Sequence, residues 1–367
     1  MAAVAALCEV LAGLAMRVLE TRLPFPEPRL YFRGPESLGS IAKNFDPLLG
    51  WITPYDTPYG ERRRAIEYDR PLVSAFGDSF THGDEVAATE TWAEVLAASL
   101  EGDVFNFGVG GYGMDQALLR FERDQPKRPT PIAVFAFTGV ELRRCFQRYW
   151  KFHSPQSFFP MTKPRLLLKD DSLELLPNPV STSRELYAGL RDAAFIERLA
   201  REDAWFNPHG LPAIRRPYLA IFARPSLWRA AFAVRTPRDP WSEPDGVRLA
   251  ELILQRFARV ALARGARPVI VQLPGYADLV AYLERGKVSS VTAQTRAICE
   301  RNGLDCIFPI FSERAGPIGE RSDYFTGGRQ GGHYSVRGNR WIAHELANQL
   351  RRLAPDVVVS DPVLSGR

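Results

Sequence analysis

The sequence predicts an α/β fold, a three-layer sandwich in which helices cover both faces of a central parallel sheet. Short apolar runs typical of buried strands alternate with longer segments of helical periodicity. This order favours parallel strands joined by right-handed crossovers. Apolar residues make up 46% of the 367 residues, which is enough for a sizeable core. The alternation stops between Leu142 and Gly246, so a large insertion is expected after the third strand.

The alternating segments can be placed one after another along the chain. The predicted strands are residues 71–75, 104–107, 132–137, 268–272 and 305–308. The predicted helices are residues 91–100, 115–123, 247–264, 289–302 and 341–350. Gly303 closes the fourth of these helices, since glycine readily takes the left-handed conformation that ends many helices.

Three regions are predicted. Residues 1–69 form an N-terminal helix and an extended lead-in, residues 70–355 the α/β domain, and residues 356–367 a flexible tail. The insertion, residues 143–245, is rich in proline and aromatic residues. Long loops at the carboxyl edge of a sheet commonly form lids or substrate walls. Two interpretations remain open: a wall that binds a carbohydrate or an anionic acyl carrier, and a locally packed subdomain without a ligand.

The sequence Gly77-Asp78-Ser79 carries the strongest chemical signal. It directly follows the first predicted strand, at the carboxyl edge where ligands gather in open α/β folds. Gly77 allows a sharp turn because it has no Cβ. Ser79 is therefore the candidate nucleophile, and the alternative is a residue that caps a helix at a strand-to-helix turn. Asp78 is expected to brace this turn.

The residues around Ser79 attract attention because several of them could carry a proton or a charge. They are Ser74, His82, Asp84 and Glu85. We expect these side chains to support the shape of the loop, as most neighbours of a nucleophile do.

The candidate base is His333, near the other end of the chain. Gly331 and Gly332 precede it, and a predicted helix follows. A serine hydroxyl is a weak nucleophile unless a neighbouring base removes its proton, and a neutral imidazole suits that task near pH 7. The position of His333 at a loop-to-helix junction distinguishes it from the other four histidines.

These segments resemble the sequence blocks of the SGNH (GDSL-type) serine hydrolases. Gly77-Asp78-Ser79 is similar to the first block, and residues 106–113 are similar to the second, with Gly111 at the place of its oxyanion glycine. His333 precedes the final helix as in the last block. The resemblance covers residues 70–125 and 267–350. It implies a flavodoxin-like SGNH hydrolase fold, with oxyanion donors from the backbone N–H groups of Ser79 and Gly111.

The chain departs from the family in the third block, where an asparagine side chain usually donates to the oxyanion. Val140 stands at that place, directly after Gly139, and valine cannot donate a hydrogen bond. Removing one such donor typically lowers turnover by roughly 10²–10³-fold. The resemblance therefore implies slow hydrolysis, with Gly139 and Gly111 as the candidate oxyanion residues.

A second departure concerns the acid that usually stands three residues before the histidine. The chain has Gln330 there. A glutamine carbonyl can orient an imidazole, but it cannot offset the charge of an imidazolium as a carboxylate does. Asp323 is the alternative if the loop at residues 326–328 folds back. Both residues remain candidates for the third catalytic position.

Composition excludes several functional classes. The net charge of +5 is small for this length, and no nucleic-acid-binding signature is present, so a nucleic-acid partner is not expected. The four cysteines are scattered without CxxC spacing. We therefore predict no metal site, no disulfide framework and no cofactor.

The N-terminal segment Ala2 to Met16 is apolar but contains Glu9. It is shorter than the ~20 residues that span a bilayer, and an amphipathic helix is the expected structure. The predicted location is cytoplasmic or unassigned. The alternative is a membrane-anchored or periplasmic protein, if this segment is a degraded anchor.

The expected function is a serine-dependent esterase that removes a small acyl group from a carbohydrate, lipid or metabolite through a covalent acyl-serine. An O-acyltransferase would use the same intermediate. A catalytically weakened binding module is the third possibility, which Val140 and Gln330 permit.

Overall fold

The computed structural model describes residues 2–22, 37–54, 57–153, 159–206, 239–311, 322–328 and 331–358. The chain forms two compact units. Unit 1 comprises Met1–Ile52, Phe146–Arg165 and Leu176–Asp239, and unit 2 comprises Thr53–Cys145, Leu166–Leu175 and Pro240–Arg367. Most of the predicted insertion thus belongs to the same unit as the N-terminal segment. Its role as a lid or substrate wall stays a prediction, since residues 154–158 and 207–238 lie outside the described residues.

The described elements are numbered here in chain order. The strands are β1 (Phe45–Asp46), β2 (Gly50–Trp51), β3 (Pro71–Phe76), β4 (Asp103–Asn106), β5 (Ile132–Phe137), β6 (Arg165–Lys169), β7 (Ser172–Leu176), β8 (Arg267–Gln272) and β9 (Cys306–Ile307). The helices are α1 (Ala2–Arg22), α2 (Leu38–Asn44), α3 (Ser79–His82), α4 (Trp92–Leu100), α5 (Met114–Asp124), α6 (Val140–Arg144), α7 (Trp150–His153), α8 (Ser183–Gly189), α9 (Ala193–Arg201), α10 (Pro244–Ala263), α11 (Tyr276–Arg285), α12 (Ser290–Asn302), α13 (Val336–Leu353) and α14 (Pro355–Val358).

Unit 2 is built on a five-stranded sheet with the order β4-β3-β5-β8-β9. Its pairings are parallel, and Ala75 in β3 lies opposite both Asn106 in β4 and Val134 in β5. After β4 the chain crosses to the other side of β3, so the winding reverses between β3 and β5. In open α/β sheets such a reversal opens a crevice at the carboxyl ends of the strands, where ligands bind.

Helices cover both faces of this sheet, and alternate residues of β5 show how. Val134 belongs to the core cluster that contains Ile342 of α13. The next residue, Phe135, points the other way and packs against Phe257 of α10, with ring centroids 5.1 Å apart. Successive strand residues face opposite sides of a sheet, so the apolar run of β5 is buried by two layers of helices. The predicted three-layer α/β fold is confirmed.

Two helices begin earlier in the chain than the sequence predicts, and the reason is local. Helix α13 begins at Val336, five residues before the predicted start. Ser335 caps it, because its hydroxyl accepts a hydrogen bond from the Gly338 N–H at 3.2 Å. Helix α10 begins at Pro244, where the fixed φ of proline suits a first turn. In both helices the first turn contains polar or glycine residues, so the apolar periodicity of the sequence does not show where the helix begins.

The prediction of no disulfide framework was wrong for one pair, because Cys299 and Cys306 are bonded. Helix α12 ends at Asn302, and Gly303 turns the chain with φ +59°. The N–H of Leu304 then donates to the Cys299 carbonyl at 3.0 Å. This reversal brings Cys306, the first residue of β9, back beside the end of the helix. Cysteine spacing alone does not reveal such a turn.

Unit 1 is held together by a buried arginine and an aromatic cluster. Arg148 is 2% exposed, and its guanidinium donates to the Lys163 carbonyl at 2.6 Å and pairs with Glu202 at 2.9 Å. The Asp203 carboxylate accepts the backbone N–H of Arg148 at 2.6 Å, and burial raises the pKa of Asp203 to about 6. Trp51 packs edge-on against Trp150, with ring centroids 5.7 Å apart.

Among the described residues, no helix is both long and apolar enough to cross a bilayer.

Candidate active site

Ser79 is the first residue of α3, a single helical turn directly after β3. Asp78 caps this turn, because its Oδ1 accepts the Phe80 N–H at 2.9 Å. Gly83 ends it with φ +81°, and the Gly83 N–H donates to the Ser79 carbonyl at 2.9 Å. The turn fixes Ser79, a residue that is 5% exposed, at the carboxyl edge of the sheet. Ser79 thus occupies the edge position that the sequence predicts.

A glycine is required at position 77 because a side chain would not fit there, and not because the backbone has an unusual φ. A Cβ at this position would lie 2.2 Å from the Thr81 hydroxyl and 2.3 Å from the Ala136 carbonyl. Gly77 is also not among the glycines with positive φ in the described residues. The turn that carries Ser79 is therefore pressed against β5, and any side chain at Gly77 would displace it.

The structure brings His333 to Ser79 across 254 positions of sequence. His333 Nε2 lies 2.8 Å from Ser79 Oγ, and the imidazole packs against the Phe80 ring at 5.0 Å. Gly331 and Gly332 approach the site with φ +87° and +93°, which explains the glycines before the histidine. The candidate nucleophile and base are in direct contact.

The carboxylate on the other side of the imidazole belongs to Glu85. Its Oε1 lies 3.1 Å from His333 Nδ1, and its Oε2 accepts a hydrogen bond from the Thr326 hydroxyl. These hydrogen bonds from Thr326 and His333 lower the pKa of Glu85. Its side chain is 51% exposed, so it remains a solvated, ionised carboxylate.

The sequence predicted that Glu85 supports the shape of the loop, and it offered the Gln330 carbonyl or the Asp323 carboxylate for the third catalytic position. Asp323 lies in a short 3-10 helix, Ser322–Tyr324. Its carboxylate is 3.3 Å from Arg337 Nη1, and its carbonyl accepts the Ser335 hydroxyl. Gln330 lies outside the described residues. The available signal was a carboxylate six residues after Ser79, but a sequence does not show that the loop turns back toward His333.

Gly111 lies in a loop that is attached to the turn of Ser79. The Val109 N–H in this loop donates to the Gly77 carbonyl at 3.1 Å. Gly108 packs so closely that a Cβ there would lie 2.3 Å from the His82 nitrogen. Gly111 itself has φ +82°, a conformation that favours glycine. Its position beside the turn of Ser79 agrees with an oxyanion role, which stays a prediction.

The third block follows β5, and within it Gly139 and Val140 have different surroundings. The Gly139 N–H donates to Glu141 Oε2 at 2.9 Å, and the Gly139 carbonyl accepts Trp241 Nε1 at 2.9 Å. Because this N–H is already engaged, it is a poor candidate for the oxyanion donor that the sequence suggested. Val140, the first residue of α6, is 42% exposed. It therefore does not fill the core beneath the site.

A network of buried and partly buried charged residues lies beside Ser79. Arg144 Nη1 donates to Asp78 Oδ2 at 2.9 Å and to the Tyr112 carbonyl at 3.1 Å, so it joins the first and second blocks. Burial and the charge of Asp78 raise the pKa of Glu141 to about 8, although the charge of Arg144 opposes this effect. Asp78 is thus committed to the turn and to Arg144, as its predicted bracing role requires.

A second histidine–carboxylate pair lies in the same loop. His82 Nδ1 is in close contact with Asp84 Oδ1. Burial would raise the pKa of Asp84, but the hydrogen bond and charge of His82, together with the charges of His333 and Arg62, lower it overall. His82 faces Asp84, whereas His333 contacts Ser79.

No protein-family model matches the chain, and no curated protein matches it in sequence. Similar solved structures include a G-D-S-L family protein from Desulfitobacterium hafniense DCB-2, with a TM-score of 0.38, 9% identity and coverage of 77% of this chain and 100% of the other. A lipase/acylhydrolase from Enterococcus faecalis matches with a TM-score of 0.38, 11% identity and coverage of 77% and 96%. The acetyl xylan esterase AlAXEase matches with a TM-score of 0.37, 11% identity and coverage of 76% and 98%.

Proposed function

We propose that the chain is a serine-dependent hydrolase of small O-acyl esters. The observation that supports this function is the 2.8 Å contact between Ser79 Oγ and His333 Nε2. A base within hydrogen-bonding distance is what activates a serine hydroxyl for attack on a carbonyl. Ser79 also lies at the reversal of strand order, where α/β sheets bind ligands.

The reaction proceeds in two stages. In the first, Ser79 Oγ attacks the ester carbonyl carbon while its proton passes to His333 Nε2. The C–O bond to the alcohol then breaks, and His333 returns the proton to the departing alkoxide. In the second stage, water attacks the acyl-serine with His333 as base, and the acid leaves as Ser79 regains its proton. The N–H groups of Ser79 and Gly111 stabilise the oxyanion in both stages.

The wild-type protein is expected to react with a fluorophosphonate probe and to hydrolyse p-nitrophenyl acetate. We expect kcat/KM to fall from acetate to butyrate to octanoate, because Ser79 is only 5% exposed and a short acyl group reaches it most easily. Labelling is measured by intact-protein mass spectrometry and hydrolysis by absorbance. An unlabelled protein without esterase activity would reject the proposed function.

Val140→Asn is expected to raise kcat, because an amide N–H would meet charge that develops only in the transition state. We expect a gain of up to roughly tenfold, with little change in KM. The exposure of Val140 means that the change should shift the free energy of unfolding by no more than about 0.5 kcal/mol.

Val140→Ala is the matched control for this variant, since it alters the same side chain without adding a donor. Steady-state kinetics on p-nitrophenyl acetate and thermal unfolding are measured for both. A Val140→Asn enzyme no faster than Val140→Ala would show that Val140 does not stand at the donor position.

A further inference from the structure

We propose that Glu85 is the positioning residue of the catalytic triad and that it holds His333 from the loop of the nucleophile itself. This inference rests on the proposed hydrolase function and adds the residue that orients its base. The serine and the carboxylate then come from one short segment, six positions apart, and only the histidine comes from the carboxyl-terminal part of the chain.

The first support is a three-way contact among Glu85, His333 and Thr326. Glu85 Oε1 lies 3.1 Å from His333 Nδ1, and its second oxygen accepts the Thr326 hydroxyl. Thr326 also donates its backbone N–H to the His333 carbonyl at 2.9 Å. One residue therefore fixes both the carboxylate and the backbone of the histidine. A carboxylate on Nδ1 selects the tautomer in which Nε2 is free to accept the proton of Ser79.

The glycine before the histidine is explained by the same contact. A Cβ on Gly332 would lie 2.6 Å from the Thr326 hydroxyl and 3.0 Å from the Gly327 nitrogen. Gly332 also has φ +93°. A side chain at this position would push Thr326 away from Glu85 and His333.

The second support is the backbone that directs Glu85 toward the histidine. Glu85 has φ +70°, which is uncommon for a residue with a side chain. Arg62 holds the loop in this shape, because its guanidinium donates to the carbonyls of Gly83 at 2.8 Å and Val86 at 2.9 Å. Strained conformations persist where the surroundings fix them, and they cluster at functional sites. Loop support alone does not require Glu85 to point at His333.

The charges around His333 determine the effect that is expected when the charge of Glu85 is removed. Glu85 contacts Nδ1, and Asp84 also acts on the imidazole through its charge. Asp84 is itself paired with His82 and influenced by Arg62, so its field at His333 is partly balanced. Removing the charge of Glu85 should therefore destabilise the imidazolium that forms on His333 when it takes the proton of Ser79, because an adjacent carboxylate favours the charged ring.

Glu85→Gln is expected to lower kcat/KM by roughly 10- to 1,000-fold, less than the ~10⁴-fold effect of a buried triad aspartate, since Glu85 is half exposed and screened by solvent. The loss should fall mainly on kcat with little change in KM, because the imidazolium that the carboxylate stabilises forms during the reaction and not on substrate binding. A purely structural role for Glu85 would lower the temperature of thermal unfolding and would not produce this split between kcat and KM. Glu85→Asp keeps the charge, so it should restore part of the wild-type kcat.

The competing variants are Asp323→Asn and Gln330→Ala, which remove the candidates that sequence suggested. Thermal unfolding and fluorophosphonate labelling are measured for every variant. If Glu85→Gln keeps the wild-type kcat, or if Asp323→Asn or Gln330→Ala alone produces the loss, the assignment of Glu85 is overturned. A wild-type protein that fails to react with the probe would reject the proposed function itself, so the two failures are distinguishable.

Discussion

Ser79→Ala is expected to abolish fluorophosphonate labelling and to lower the hydrolysis of p-nitrophenyl acetate by at least about three orders of magnitude. No other described hydroxyl is shown in contact with His333 Nε2, so nothing replaces the lost nucleophile. The fold should persist, because the turn is held by backbone contacts and by the cap from Asp78. Loss of the hydroxyl should cost about 0.5–1.5 kcal/mol of unfolding free energy.

Ser74→Ala is the matched control, five positions earlier in the same strand-and-turn segment. The Ser74 hydroxyl is buried and accepts the Thr130 hydroxyl at 2.9 Å. Thr130 keeps a second acceptor in the Ile132 carbonyl at 2.8 Å, so the control should fold and react with the probe. Mass spectrometry of the labelled peptide identifies the modified serine. Near-wild-type hydrolysis by Ser79→Ala would reject Ser79 as the nucleophile.

The sheet could be predicted from sequence because its strands are buried on both faces. The run Ile132–Phe137 is apolar throughout, and the prediction matches the observed strand. Such runs are local features and need no knowledge of distant contacts. Cys306–Ile307 is shorter than predicted, since only two residues pair with β8 at the edge of the sheet.

The serine and histidine of the site could be proposed because each stands at a fixed place relative to an element. Glu85 could not, because its contact with His333 depends on a left-handed backbone and on Thr326, a residue 241 positions away. At Gly139 the sequence suggested a functional group that the structure shows to be occupied. Its motif suggests a donor, yet the side chain of Glu141 folds back and occupies the N–H. Motifs locate a site, while tertiary contacts decide which groups in it are available.

The disulfide has the same explanation. Seven positions separate Cys299 from Cys306, and neither the spacing nor the surrounding sequence distinguishes this pair from the other cysteines. The left-handed turn at Gly303 brings the two cysteines close enough to bond. The sequence identified Gly303 as the end of a helix but not the direction in which the chain leaves it.

His333→Ala is expected to reduce esterase activity about as severely as Ser79→Ala, because a serine without its base is a weak nucleophile. Fluorophosphonate labelling should slow to a similar extent. The double variant Ser79→Ala/His333→Ala should be little worse than either single variant, since residues that act as one unit show strongly non-additive losses. The rates of all three variants are measured on p-nitrophenyl acetate under the same conditions.

His82→Ala and His153→Ala are the controls that separate the role of His333 from a general need for histidine. His82 pairs with Asp84, and the ring of His153 packs against Trp205 with centroids 4.5 Å apart, so each should cost far less activity. A dispensable His333 with an essential His82 would contradict the assignment. Additive losses in the double variant would contradict it differently, because they would mean that Ser79 and His333 act independently and that their 2.8 Å contact does not transfer the proton.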